Sequence, residues 1–188
     1  MKYLIPYRRR IALPAITLLL GAGYFASDLA DTEITRDLVP DFLHVSKIFY
    51  SKSEKQGFGP GGELTEFLVF KLPDEVAKEI QQSGINYFSN HHQQNANTRS
   101  YNRPYIDWTA TPALLCKPDD RDYKCEPNVS AYLWRRGWAG VDVDQALEGE
   151  INAALAAPGS YFAESRGGGG ILIVIPGQRR VVYMYSGG

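Results

Sequence analysis

The sequence predicts an α+β fold, in which a single N-terminal transmembrane helix precedes a small domain with a mainly antiparallel sheet of two hairpins packed by two or three helices. Three observations lead to this fold class. A long uncharged segment follows a cluster of arginines, two pairs of β-forming segments each enclose a turn, and helix start and stop signals lie between those pairs. About 150 residues remain after the N-terminal segment and the stalk that follows it, enough for one hydrophobic core, so we expect a single domain.

The N-terminal segment has the features of a membrane signal-anchor. Residues 11–27 carry no charge, Arg8, Arg9 and Arg10 precede them, and Asp28 follows. These seventeen residues, at a rise of ~1.5 Å each, make a helix of roughly 25 Å, which is at the short end of what spans a bilayer core. By the positive-inside rule, the basic tail over residues 1–10 stays cytoplasmic and the chain beyond the segment is extracytoplasmic.

Two alternatives to a retained anchor remain open. A cleaved signal peptide needs small residues before the cleavage site, and residues 21–23 (Gly-Ala-Gly) offer them only after a short apolar stretch. A buried helix of a soluble protein would contain Pro14 and would need a polar face, which the segment lacks. We expect a single-pass protein of a bacterial inner membrane, with a stalk over residues 28–40 and a periplasmic or extracellular domain over residues 41–188.

Charge and composition limit the partners of the exported part. Lys2 and the three arginines account for four of the 20 Lys and Arg residues, which leaves 16 against 21 Asp and Glu beyond residue 10. Nucleic-acid binders need clustered basic surface, so we expect no nucleic acid partner. Hydrophobic residues make up 44% of the chain and aromatic residues 12%, which is typical of an ordered domain.

The two cysteines are predicted to form a disulfide. Cys116 and Cys125 are nine positions apart, and residues 118–120 (Pro-Asp-Asp) between them favour a turn. In an oxidising compartment an even number of cysteines at short spacing indicates a disulfide, and closing such a loop contributes roughly 2 to 3 kcal/mol in the chain-entropy description. Free buried thiols and a metal site are the alternatives. The histidines lack a zinc-finger spacing to these cysteines, so no metal or other cofactor is expected.

The first hairpin is predicted in the N-terminal third of the domain. Residues 41–50 and residues 65–72 are rich in β-forming side chains and predict two strands. Residues 51–62 between them end in a glycine-rich stretch and predict a long loop. That stretch leads into a strand and lacks the Lys-Ser/Thr of a phosphate-binding loop, so its glycines are interpreted as hairpin glycines.

A helix is predicted directly after the first hairpin. Pro73 suits its first turn, the acidic residues that follow favour a helix N-terminus, and Gly84 can end it. Val76, Ala77 and Ile80 recur at helical spacing, so this helix is expected to cover one face of the sheet.

The middle of the chain, residues 85–127, predicts a loop whose most polar part is residues 90–97. A loop of more than about 15 residues inside a compact domain is usually functional or disordered. This region therefore holds candidate functional residues.

Two further helices and a second hairpin are predicted near the C-terminus. Asn128 suits the N-cap of a helix that stops at Gly137, and Asp142 suits the N-cap of a helix over residues 143–156. The apolar run over residues 171–175 and residues 180–186 enclose a Pro-Gly turn. The apolar run predicts a central strand that is buried on both faces.

Two segments combine side chains that are typical of binding surfaces. The polar loop over residues 90–103 carries histidines and arginines, and residues 134–138 place two arginines between two tryptophans. The predicted interaction surface consists of His91, His92, Arg99, Arg103, Trp134, Arg135, Arg136 and Trp138. The alternative for the second segment is a tryptophan in the core with arginines packed over it.

The sequence contains no complete catalytic constellation, and no serine lies in a G-x-S-x-G turn. The first functional hypothesis is therefore a non-enzymatic binding or accessory module of an envelope or membrane complex, with a protein partner. The second is an extracytoplasmic hydrolase of an envelope polymer or peptide, in which His91 or His92 acts with Asp107. The third is a toxin-neutralising or exclusion protein.

Overall fold

The structure, a computed structural model, describes residues 38–45, 47–56, 63–91, 105–112, 128–134, 141–165 and 170–187. Six antiparallel strands form one sheet: β1 (Ile48–Gln56), β2 (Glu63–Lys71), β3 (Tyr105–Ala110), β4 (Tyr161–Ser165), β5 (Gly170–Ile175) and β6 (Arg180–Gly187). Their spatial order is β1-β2-β6-β5-β4-β3. The described residues also form four α-helices: α1 (Asp74–Ser83), α2 (Asn86–His91), α3 (Val129–Trp134) and α4 (Gln145–Ala156). Short 3-10 turns lie at Asp41–Leu43 and Pro176–Gln178.

The sheet is covered on both faces. Successive side chains of a strand point to opposite faces, and on β2 this places Leu68 and Phe70 in one hydrophobic cluster and Phe67 and Val69 in another. The first face carries α1, α2 and the turn Asp41–Leu43, and the second face carries α3 and α4. The domain is therefore a three-layer arrangement, and every residue of β5 is buried.

The structure confirms the predicted C-terminal hairpin and the helix after the first hairpin. β5 and β6 pair in antiparallel register around the turn Pro176–Gln178. In α1, Val76, Ala77 and Ile80 are buried as predicted. Gly84 ends the helix at a φ of 61°, and its N–H donates to the Ile80 carbonyl at 2.8 Å.

The last two helices follow the predicted capping chemistry with one correction. Asn128 caps α3, because its Oδ1 accepts from Ala131 N at 3.1 Å. The predicted stop at Gly137 lies outside the described residues. The N-cap of α4 is Asp144, whose Oδ1 accepts from Leu147 N at 2.9 Å, so the prediction of Asp142 was wrong. Val141 and Val143 are both buried, and burial of alternate residues is typical of an extended segment. The helix therefore begins two residues later than predicted.

The prediction of one strand over residues 41–50 was wrong. A 3-10 turn occupies Asp41–Leu43, and His44 closes it in the left-handed region. β1 begins at Ile48 and runs to Gln56, into the stretch predicted as a loop. Its continuous antiparallel pairing with β2 holds this polar sequence in a strand.

The prediction that residues 85–127 are loop-like was also wrong where the structure describes them. This region contains α2 and β3. α2 has six residues, too few to show helical periodicity. In β3, the register with β4 shifts between Ile106 and Thr109, which breaks the alternation that identifies a strand.

The fold class was predicted at the level of an α+β domain with an antiparallel sheet. Both predicted hairpins are present, and they join through the pairing of β2 with β6. β4 and β3, which the sequence did not reveal, extend the sheet. The predicted transmembrane segment over residues 11–27 and the predicted stalk up to residue 37 lie outside the described part, and none of the described helices has the length and hydropathy needed to cross a bilayer.

Candidate functional site

The described residues of the predicted interaction surface belong to the ends of two short helices. His91 is the last residue of α2, and Trp134 is the last residue of α3. The other predicted surface residues (His92, Arg99, Arg103, Arg135, Arg136 and Trp138) and the predicted disulfide (Cys116 and Cys125) lie outside the described residues.

The two predicted halves of that surface begin on opposite faces of the sheet. Tyr87 and Phe88 of α2 pack in the cluster on the first face, whereas Val129 and Leu133 of α3 pack in the cluster on the second. The ends of α2 and α3, at His91 and Trp134, therefore belong to helices on different faces of the sheet.

His91 is held by an aromatic environment. Its Nδ1 lies 2.8 Å from the Tyr87 carbonyl. A carbonyl only accepts, so Nδ1 carries the hydrogen and donates. The imidazole centroid lies 4.4 Å from the ring of Tyr87 and 5.4 Å from the ring of Phe42. His91 is thus part of the aromatic packing on the first face.

The hydrolase hypothesis also requires Asp107 beside a histidine. Asp107 is exposed on β3 at a φ of 57°, where the register shifts, and the Thr109 hydroxyl donates to its carbonyl at 3.0 Å. Among the described residues, no ion pair links Asp107 to His91. Nor does that part of the chain contain a group of three or more His, Cys, Asp or Glu side chains that could hold a metal ion.

An aromatic cluster fastens β3 and the segment before β1 to the first face. Trp108 stacks on Phe88 with a centroid distance of 4.1 Å. The Tyr105 hydroxyl donates to the Leu38 carbonyl at 2.6 Å, and the Tyr87 hydroxyl donates to the Phe42 carbonyl at 2.8 Å. Leu38 and Val39 lie in the predicted stalk, yet both pack in this cluster and Val39 is 2% exposed.

Burial extends the pH range in which both tyrosine hydroxyls stay protonated. It raises the pKa of Tyr87 to about 12, with a smaller contribution from Glu79. It raises the pKa of Tyr105 well above its ordinary value, and the neighbouring Tyr183 and Tyr132 add to the shift. Each hydroxyl therefore remains a hydrogen-bond donor even at pH 10.0, the ordinary tyrosine pKa.

On the second face, a β-bulge exposes Phe49. The register moves from Ile48 opposite Phe70 to Tyr50 opposite Val69, which leaves Phe49 without a partner on β2. Phe49 is 53% exposed, and it is the only large hydrophobic side chain so exposed among the described residues. Tyr50 beside it is anchored: its ring packs edge-on against Phe67 at 5.8 Å, and its hydroxyl accepts from Asp144 N at 3.0 Å.

Charged side chains flank the exposed ring. The guanidinium carbon of Arg180, the first residue of β6, lies 5.5 Å from the Phe49 ring centroid. Arg180 Nη1 also forms an ion pair with Glu150 of α4 and lies 3.2 Å from Gln178 Oε1. We call Phe49, Arg180 and Glu150 the Phe49 patch. It presents an aromatic ring, a cation and a carboxylate side by side on three different elements.

Sequence reasoning missed the Phe49 patch, although one signal was present. Phe49 and Tyr50 are adjacent aromatic residues in a β-forming segment. In a regular strand they would point to opposite faces. On an edge strand, one of them is then exposed or displaced by a bulge. The partners Arg180 and Glu150 are distant in sequence and become neighbours only in the folded sheet.

Comparison with protein-family models, with curated proteins and with solved structures finds no match to this chain. Its function is therefore inferred from its own residues.

Proposed function

We propose that this chain is a membrane-anchored binding module, in which an N-terminal helix tethers an extracytoplasmic domain that contacts a protein partner in an envelope or membrane complex. The uncharged residues 11–27 behind three arginines support the anchor and its orientation. The spacing of Cys116 and Cys125 supports an oxidising compartment.

The observation that carries the binding proposal is the Phe49 patch. Burying a phenylalanine side chain contributes about 1.5 to 3 kcal/mol, so a ring that is 53% exposed retains much of that free energy for a partner. Aromatic and arginine side chains are the residues most often found at the energetic centre of interfaces. Arg180 is held by Glu150 in the free protein, so little side-chain freedom would be lost on binding.

Crosslinking of the full chain in native membranes, followed by identification of the co-purifying proteins, tests this proposal. We expect Phe49→Ala to lower recovery of the partner at least tenfold, and Phe49→Leu to lower it less, because leucine keeps apolar area but loses the ring. Lys78→Ala, at an exposed position of α1 on the other face, is the matched control and should leave recovery unchanged.

The predicted surface is tested in the same experiment. Alanine replacement of His91, His92, Arg99 and Arg103 forms one further arm, and alanine replacement of residues 134–138 forms another. Circular dichroism and thermal unfolding verify that each variant folds. Unchanged co-purifying proteins across the Phe49 variants and both arms would refute the binding proposal.

The anchor and its orientation need a separate measurement. We expect the full chain to resist alkaline extraction from membranes, and a chain without residues 11–27 to be extracted. Protease added to the extracytoplasmic side should digest the domain in intact spheroplasts. Protection of the domain until the membrane is broken would contradict the proposed orientation. No contact among the described residues favours the hydrolase or toxin-neutralising hypothesis, and both stay predictions from sequence.

A further inference from the structure

β1 is an edge strand with an unpaired outer side in the described part of the chain. It lies at one end of the sheet, and among the described strands only β2 pairs with it. The side chains from Ser51 to Lys55 are exposed on both faces, so no described helix overhangs this edge. The N–H and C=O groups along such an edge are a template for another strand.

The side chains of β1 divide regularly between the two faces of the sheet. Tyr50, Lys52 and Glu54 lie opposite Val69, Phe67 and Thr65 of β2. Phe67 and Val69 belong to the second face, so Lys52 and Glu54 do too. Ser51, Ser53 and Lys55 lie on the first face by alternation. One face of this edge therefore carries a cation and an anion two residues apart.

We propose that β1 pairs antiparallel with β1 of a second copy of this chain, about a twofold axis that lies midway between the two Ser53 residues. In this register Lys52 lies directly opposite Glu54 of the partner subunit, and Glu54 lies opposite the partner subunit's Lys52. At one end of the pairing, Tyr50 lies opposite Gln56 of the partner subunit. The same surface contacts itself, as closed twofold symmetry requires.

Charge selects this register among the neighbouring ones. For the faces of the two sheets to continue, residues of the same face must oppose each other. One residue of β1 must therefore oppose its own copy, and the axis lies midway between the two. An axis between the two copies of Lys52 would place two lysines opposite each other, and an axis between the two copies of Glu54 would place two glutamates opposite each other. Like charges in directly opposed positions destabilise a strand pair, whereas opposite charges stabilise it. Of these three axes, only the one between the two Ser53 residues places each lysine opposite a glutamate.

An edge lysine commonly protects a strand from pairing with other chains. Lys52 would do so against any strand that does not offer a carboxylate at the matching position. Glu54 supplies that carboxylate only from an identical strand in this register. The edge is thus closed to most strands and complementary to its own copy. This inference uses residues beyond the Phe49 bulge and is independent of the proposal of a protein partner at the Phe49 patch.

Cysteine crosslinking of the full chain in membranes tests the register. Ser53→Cys places two identical cysteines in directly opposed positions, with α-carbons about 4.5 to 5.5 Å apart, within disulfide range. Ser51→Cys is the matched control, because the two Ser51 positions lie four residues apart along the strands, more than about 13 Å. The parent chain gives the background from Cys116 and Cys125. We expect Ser53→Cys to form at least tenfold more covalent dimer than Ser51→Cys. Equal yields from the two variants would overturn the register.

A second crosslink covers the case in which the local geometry at the axis disfavours a disulfide. Ser51 lies opposite Lys55 of the partner subunit in the proposed register. A mixture of Ser51→Cys and Lys55→Cys chains should therefore crosslink between the two variants and not within either. Failure of both this pair and Ser53→Cys would overturn the proposal.

Charge reversal tests the pairing without any covalent bond. K52E and E54K each place like charges opposite each other twice about the axis, and the double variant K52E/E54K restores both attractive pairs. In detergent micelles, sedimentation should show the dimer dissociation constant raised at least tenfold by each single change and returned to within threefold of the parent by the double change. A parent chain that sediments as a monomer, or a double variant as weak as the single ones, would overturn the proposal.

Discussion

The two edge strands of the sheet, β3 and β1, differ in how they pack against the rest of the domain. β3 is a short strand with a register shift, its Trp108 stacks on Phe88, and the chain beyond it is fastened because Thr111 N and Oγ1 both donate to the Ser160 carbonyl. β1 is longer, its side chains from Ser51 to Lys55 are exposed, and the Phe49 bulge leaves an aromatic ring in solvent. One edge is joined to the hydrophobic core through Tyr105 and Trp108. The other edge, β1, exposes most of its side chains to solvent. For this reason the proposed partner site at the Phe49 patch and the proposed strand pairing both involve β1.

The largest expected difference between the edges is in stability. Phe88 is 0% exposed and contacts Trp108, Tyr161 and Phe42. Phe88→Ala should lower the free energy of unfolding by about 3 to 5 kcal/mol, because it leaves a cavity under β3. Phe49→Ala at the other edge should change it by less than about 0.5 kcal/mol, as is usual for exposed positions. Urea unfolding monitored by tryptophan fluorescence measures both, and equal losses would contradict the contrast.

A smaller difference is expected from removing one hydroxyl at each edge. Tyr105→Phe leaves the Leu38 carbonyl without its donor in a partly buried site. We expect a loss of about 1 to 2 kcal/mol. Tyr50→Phe removes the acceptor of Asp144 N near solvent, where water can replace it, and should cost about 0.5 kcal/mol or less. Thermal unfolding of both variants provides the comparison, and a larger effect at Tyr50 would reverse it.

The smallest expected effect is a pH dependence beside β1. Burial raises the pKa of Glu66 on β2 above its ordinary value of 4.5, and Lys55 opposes this shift. The folded state therefore binds the proton more tightly than the unfolded state, so stability falls as the pH rises from 4.5 through the folded pKa. Glu66→Gln should remove that decline.

Urea unfolding between pH 4 and pH 8 measures this slope. The glutamine variant should match the parent at the acidic end and exceed it at neutral pH. Lys55→Ala should steepen the decline of the parent, because it removes the charge that favours the carboxylate. A parent chain whose stability rises over this range relative to the glutamine variant would contradict the assignment.

The part of the fold that could be predicted from sequence is the part with strong local signals. α1 has a proline at its start, a glycine at its end and an apolar stripe, and β5 is an unbroken apolar run. β3 and β4 lack such signals, since a register shift interrupts one and the other has five residues. β1 was misplaced because pairing with β2, and not its own composition, makes residues 51–56 a strand.

The candidate site was harder to predict than the fold. The predicted surface rests on clusters of residues that are adjacent in sequence, and most of them lie outside the described residues. The Phe49 patch brings together β1, α4 and β6, and it exists only because a bulge displaces one ring. No pattern within one segment reports a contact between residues 49 and 180. The charge alternation of Lys52 and Glu54, by contrast, is visible in the sequence once the strand is known.

The hydrogen bond from Tyr105 to the Leu38 carbonyl places the start of the described chain against β3, the strand farthest from β1. In a pair joined through β1, these two starting points lie at the outer ends of a continuous sheet. With six strands in each copy and a spacing of about 4.8 Å between strands, they are roughly 50 Å apart. The width of the paired sheet would then set the distance between the two points at which the N-terminal segments enter the domains.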